Sequence, residues 1–265
     1  MRYFFHIAYH GCRYNGWQKH AGVLGVQEVI ENALSSLLKI PAAIVGCGRT
    51  DTGVHAGQFF FHIDVEKEWE FDLLFRLNKL LPDDIAVFDI IPMQGQPHAR
   101  FDAIRRTYDY FIHAYKDPFL SGFSSLYPEK NLNLDGMKTA VALLPHYNDY
   151  RAFCKCPDRI EHTLCYVSDA RLFIDVGGDR LRFHITANRF LSKMIRIIMG
   201  RLLEIGRGQM SVDEFEYYLA NKITPKIIIP AHPQGLYLTK VTYPYLDIEP
   251  GTSFNSSLQM TWQEL

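Results

Sequence analysis

Residues 46–57 read Gly-Cys-Gly-Arg-Thr-Asp-Thr-Gly-Val-His-Ala-Gly, four glycines with one arginine, one aspartate and one histidine, just before the strand-like run 58–65. Several chemistries fit these residue types. Glycine amides cradle a phosphate where they open a helix, usually with Lys then Ser/Thr; here they lead into a strand, and no Gly-Lys-Ser/Thr follows. Asp51 and His55, with His62 and Asp64, carry metal-ligand atoms, but the spacing is not distinctive, and a strand after His55 turns alternate side chains to opposite faces. Asp51 could instead attack a carbon, with Arg49 beside it to handle negative charge, because carboxylates form covalent intermediates and a glycine-braced loop supports one. An aspartate that caps backbone amides in a tight turn fits as well. The residue types alone leave these alternatives open.

A second group of reactive side chains lies in the other half of the chain. Cys154, Cys156, His162 and Cys165 fall within twelve residues. Three thiols and an imidazole have zinc-binding chemistry, yet Cys-x-Cys at this spacing is not a standard ligand pair, and no structural metal is expected. Five cysteines with no framework spacing fit reduced thiols in a reducing compartment. The N-terminal segment is too interrupted for a signal peptide, and no stretch approaches about 18 apolar residues, so a cytoplasmic protein with no membrane association is expected. The net charge of −1 provides no overall field for nucleic acid or membrane, so a polyanion must meet a local basic patch.

The elements that must hold these residues follow from apolar periodicity. A chain of 265 residues, 48% hydrophobic and 22% charged, is long enough for two globular halves. Strand 2–9, helix 26–39, strands 42–48 and 57–65, helix 71–81 stopped by Pro82, and strand 85–91 make one set. The order recurs as strand 107–115, helix 134–144, strands 166–176 and 180–186 joined at Gly177-Gly178-Asp179, helix 188–203, a capping box at Ser211 to Glu214, and strand 235–243. The expected fold class is α+β: two split βαββαβ, ferredoxin-like halves forming one extended, mostly antiparallel sheet, with helices on one face and a site in the cleft between the halves. The boundaries are 1–100, 101–246 and a polar tail or short surface helix at 247–265.

Several motifs, in order, resemble one family. The run 48–56 is similar to the signature Gly-Arg-Thr-Asp-Ala-Gly-Val-His of TruA-type tRNA pseudouridine synthases, with Thr52 in place of the usual alanine. Residues 11–20 (GCRYNGWQKH), 98–112 (HARFDAIRRTYDYFI), 187–208 (ANRFLSKMIRIIMGRLLEIGRG) and 232–238 (HPQGLYL) resemble the family's other segments. The resemblance implies conversion of uridine to pseudouridine in the tRNA anticodon stem-loop, by an enzyme that is usually a homodimer and needs no metal or organic cofactor.

The resemblance also distributes roles. Asp51 matches the essential aspartate, acting as nucleophile or as the base that starts glycal formation. Tyr108 matches a tyrosine whose ring can stack on uracil and whose hydroxyl can sit near the C5 proton; read as an ordinary strand aromatic, like Tyr110, it would pack a core. Arg196 matches the arginine that pairs with the catalytic carboxylate. On a helix over 188–203, Arg189, Lys193 and Arg196 share one face, either facing RNA or solvated. Arg49 resembles the residue that displaces the target base, for which a planar guanidinium is suited. Arg100, Arg105 and Arg106 are expected at the RNA backbone, Leu236 at an apolar wall of the uracil pocket, and His55 as a brace for the loop. A non-catalytic RNA-binding relative and a metal-dependent hydrolase using Asp51 and His55 are the rival readings.

Overall fold

The computed structural model describes residues 1–129, 131–251 and 262–265. In chain order they form β1 (Arg2–Tyr9), α1 (Val26–Leu38), β2 (Val45–Gly46), β3 (His55–Asp64), α2 (Leu73–Leu80), β4 (Ile85–Met93), β5 (Arg105–His113), β6 (Ser125–Leu126), α3 (Leu134–Leu143), β7 (Val167–Asp175), β8 (Arg180–Ala187), α4 (Met194–Gly206), α5 (Val212–Asn221), β9 (Leu236–Thr242) and β10 (Trp262–Glu264). The class is α+β with mostly antiparallel pairing. Among the described residues, no helix is long and apolar enough to cross a membrane. The chain divides into two compact units, residues 1–104 with 237–251, and residues 105–236 with 262–265.

In the first unit β1 pairs antiparallel with both β3 and β4, and β2 pairs with β3. β9 joins in parallel, His55 opposite Tyr237 and Ala56 opposite Leu238. β1 and β3 are buried almost throughout, so they lack the apolar–polar alternation of a half-exposed strand, and His6, His55, Gln58 and His62 are buried among their aromatic residues. The register sets Phe5 on Phe61 (centroids 4.7 Å apart) and His6 on Phe60 (4.9 Å). Trp17 packs against Phe59 at 4.1 Å. The expected strand over 42–48 shrinks to the two residues of β2.

In the second unit β7 and β8 form the expected hairpin, β8 pairs with β5, and β6 runs parallel to β5. Leu181, Phe183, Ile185 and Ala187 alternate into the core. On the other face Asp109 is buried but accepts from Arg182 Nε (2.7 Å) and His184 Nδ1 (2.8 Å). Burial opposes its charge, yet His184 and Arg182 hold the carboxyl below its ordinary range. Ser211 caps α5 by accepting the Glu214 amide at 3.0 Å.

Two expectations are corrected. The helix over 188–203 begins only at Met194, because Asn188 Oδ1 accepts the amides of Tyr166 and Arg189, and Lys193 enters the left-handed region at φ 59°. Arg189 and Lys193 therefore precede α4, and the proposed helical face with Arg196 does not exist. The stretch from 247, expected as a tail or surface helix, ends in β10, which pairs antiparallel with β7 through Trp262 and Asp175; its residues 252–261 lie outside the described residues.

Candidate active site

The loop between β2 and β3 is fastened to the end of β1 and to the residues that follow it. Its first fastening is at Thr50, whose carbonyl accepts the Trp17 amide (3.3 Å) and whose hydroxyl lies 2.9 Å from the Tyr9 hydroxyl. Its second is at Gly53, in the left-handed region at φ 75°, whose amide donates to the Tyr14 carbonyl (3.2 Å). Between them, the Asp51 carbonyl accepts the Val54 amide at 3.1 Å, closing a tight turn. Asp51 is half-buried at its apex, with Thr52 and Arg49 exposed on either side. The segment 11–20 and the segment 48–56, separate motifs in the sequence, are thus one local structure.

Gly16 shows why. At φ 82° it crosses the loop so closely that a Cβ would stand 2.2 Å from the Thr50 carbonyl oxygen. His55 is fully buried, and its Nδ1 accepts the Gly11 amide at 3.0 Å. Its ring stacks on Tyr237 with centroids 4.3 Å apart. Those contacts fit a brace.

The second unit carries the other residues of interest. Tyr108 is half-buried on β5, its ring edge-on to Phe190 at 5.1 Å. Tyr110, two residues on, is fully buried and donates to the His232 carbonyl (2.7 Å), with Ser125 Oγ 2.9 Å away; burial holds its phenol protonated far above the usual range. Arg196, half-buried on α4, donates through Nε to the Ala231 carbonyl (2.7 Å), while its own carbonyl accepts the Ala231 amide (2.8 Å). The Tyr127 hydroxyl accepts the His232 amide at 3.0 Å. The segment leading to buried Leu236 is therefore pinned at Ala231 and His232. Sequence reading did not single out Tyr110, Ser125 or Tyr127 for this task, because the partner is a backbone group of His232 more than a hundred residues away.

The remaining basic residues separate. Arg106 donates to the Asn188 carbonyl (3.1 Å), next to Arg189, whose Nη1 lies 3.2 Å from His162 Nε2. Arg100 and Arg105 are exposed, and Arg100 lies 5.8 Å from the Phe101 ring. Of the cysteine group, Cys154 and Cys165 are buried, and burial pushes the Cys165 thiol up to about 12. His162 is exposed, with its Nε2 3.2 Å from Arg189 Nη1.

Comparison with known proteins gives the family. A family model described as tRNA pseudouridine synthase matches residues 145–244. The chain is 38% identical over 246 residues to tRNA pseudouridine synthase A of Porphyromonas gingivalis, covering 92% of this chain and 97% of that protein. The chain belongs to the tRNA pseudouridine synthase A family. The Parabacteroides distasonis member is 40% identical over 248 residues, 92% of this chain and 96% of its own length. The Gloeobacter violaceus member is 36% identical over 243 residues, covering 90% and 79% respectively. Membership in this pseudouridine synthase family makes the chain an isomerase.

Proposed function

We propose that the chain converts uridine to pseudouridine in the anticodon stem-loop of tRNA, with Asp51 as the reacting carboxylate and without a cofactor. The observation that carries this reading is the seating of Asp51: family membership coincides with a half-buried aspartate at the apex of a turn fastened at Thr50 and Gly53. Pre-positioning of that kind is what a single attacking group requires.

The bond from ribose C1′ to uracil N1 breaks, the uracil turns while held, and a bond forms from C5 to C1′. The C5 proton leaves and N1 gains one. Asp51 serves as nucleophile or as the base that starts a glycal path. Tyr108 stacks on the uracil and sits near the departing C5 proton, Leu236 walls the pocket, and Arg196 pairs with the carboxylate. Arg49, exposed beside Asp51, displaces the target base. Arg100, Arg105, Arg106, Arg189 and Lys193 contact the RNA backbone. The same reading includes ferredoxin-like halves, supported in the first unit by the order β1-α1-β2-β3-α2-β4, and a cytoplasmic homodimer.

Tritium release from C5-labelled tRNA tests the proposal. Release by the parent chain and none by Asp51→Ala is expected. No release by the parent chain, or parent-like release by the variant, overturns it.

A further inference from the structure

We propose that His10, Cys12 and His55 form a binding site for a zinc-class divalent cation, and that filling it breaks the brace on the loop that carries Asp51. The binding part stands by itself; the effect on catalysis rests on the function proposed above.

His10 and Cys12 flank Gly11 at the short 3-10 turn Gly11–Arg13, and His55 opens β3. One ligand atom from each residue lies within 4.8 Å of the other two. Tetrahedral zinc with bonds of about 2.0–2.3 Å sets its ligands ~3.5 Å apart, so modest side-chain rotations gather these three. Two imidazoles and a thiolate are borderline-soft donors, suited to zinc over calcium or magnesium, and three protein ligands leave a fourth position for water. Cys12 is exposed and His10 half-buried, which gives the ion a route from solvent. On binding, Cys12 releases its thiol proton to solvent.

The hydrogen bond at His55 couples this site to the loop. Nδ1 accepts the Gly11 amide at 3.0 Å, so the ring is neutral with its proton on Nε2. An ion at Nδ1 displaces the Gly11 amide. An ion at Nε2 sends the ring proton to Nδ1, where it faces the amide proton. Either way the Gly11–His55 hydrogen bond is lost. The contact has little slack, since a Cβ on Gly11 would stand 1.9 Å from the Val54 carbonyl oxygen, at the loop's exit. Cation binding and the braced loop are therefore mutually exclusive, and the cation acts as an inhibitor.

The test uses the full chain stripped of metal with a chelator. Calorimetry with zinc chloride is expected to show one equivalent bound, and cobalt(II) to show a thiolate-to-metal charge-transfer band. Cys12→Ser abolishes that band and weakens zinc binding at least about tenfold, and His10→Ala weakens it likewise. Melting of both metal-free variants like the parent shows that the loss is not misfolding. Exchange of the Gly11 amide speeds up in the zinc-bound parent. Absence of stoichiometric binding overturns the site, as does a cobalt band that survives Cys12→Ser, which would assign the thiolate to Cys47, Cys154, Cys156 or Cys165. An unchanged Gly11 amide overturns the coupling. None of these readings uses tRNA, so they stand or fall separately from the proposed reaction. With tRNA, the ratio of tritium release with and without zinc falls for the parent and stays near one for Cys12→Ser; equal ratios overturn the inhibition.

Discussion

Gly16 lies against the Thr50 carbonyl, leaving 2.2 Å between that oxygen and any Cβ built on the glycine. Its φ of 82° adds backbone strain for any other residue. Gly16→Ala is expected to destabilise the chain by about 2–3 kcal/mol and to lower tritium release more than binding, because the loop moves with Thr50. Denaturant melts and single-turnover kinetics check both; a variant as stable as the parent would show that the loop is not seated here.

Asp51 holds the turn through its backbone carbonyl, which accepts the Val54 amide, and that bond survives truncation of its side chain. Asp51→Ala and Asp51→Asn are therefore expected to fold while losing a factor on the order of 10⁴ or more in rate. Circular dichroism and tritium release measure the two halves of that statement.

Tyr110→Phe removes the donor to the His232 carbonyl and leaves Ser125 Oγ, 3.4 Å from that oxygen, as the remaining hydroxyl. A loss of about 1–2 kcal/mol is expected in thermal melts, with a fall in activity as the segment before Leu236 loosens. Ser125→Ala, removing the weaker partner, is expected to cost less.

His62 gives the stability a pH dependence. It is 4% exposed, its Nδ1 accepts the Ala99 amide at 3.2 Å, and burial, then the charges of Arg2 and His98, push its pKa from 6.5 down to about 4. The unfolded chain binds the proton near 6.5, so between pH 6.5 and 4 the unfolded state holds more protons. The stabilisation is complete above 6.5 and declines through that window as pH falls, by about 2–3 kcal/mol. Urea melts across this range are expected to show the slope, and His62→Gln to flatten it.

Arg49 is exposed near Asp51; its proposed task is to displace the target base, and a phosphate contact would instead make its part in binding salt-sensitive. Arg49→Ala is expected to reduce the slope of log affinity against log salt by about 1 if it meets a phosphate. If Arg49 only displaces the base, the slope stays and the rate falls.

Most elements are legible in the sequence because their causes are local. The 3.6-residue spacing of Val26, Val29, Ile30, Ala33 and Leu34 marks α1, Pro82 ends the α2 region, and the glycines at 177 and 178 mark the β7–β8 hairpin. The start of α4 is not legible in the sequence because Asn188 takes the Arg189 and Tyr166 amides, the latter brought from 22 residues away. β10 was unreadable because a three-residue edge strand is made by its partner, β7, and not by its own pattern.

The sequence by itself determined the family and marked Asp51, since both depend on residue identities in fixed local order. Tertiary structure alone decided how that residue is held, with Gly16 under Thr50 and Gly11 on His55, and, within the second unit, how the Ala231–His232 segment is pinned by Arg196, Tyr110 and Tyr127. Each is a contact between backbone groups or side chains distant in the chain, and no local pattern encodes such a meeting until the strands have chosen their register.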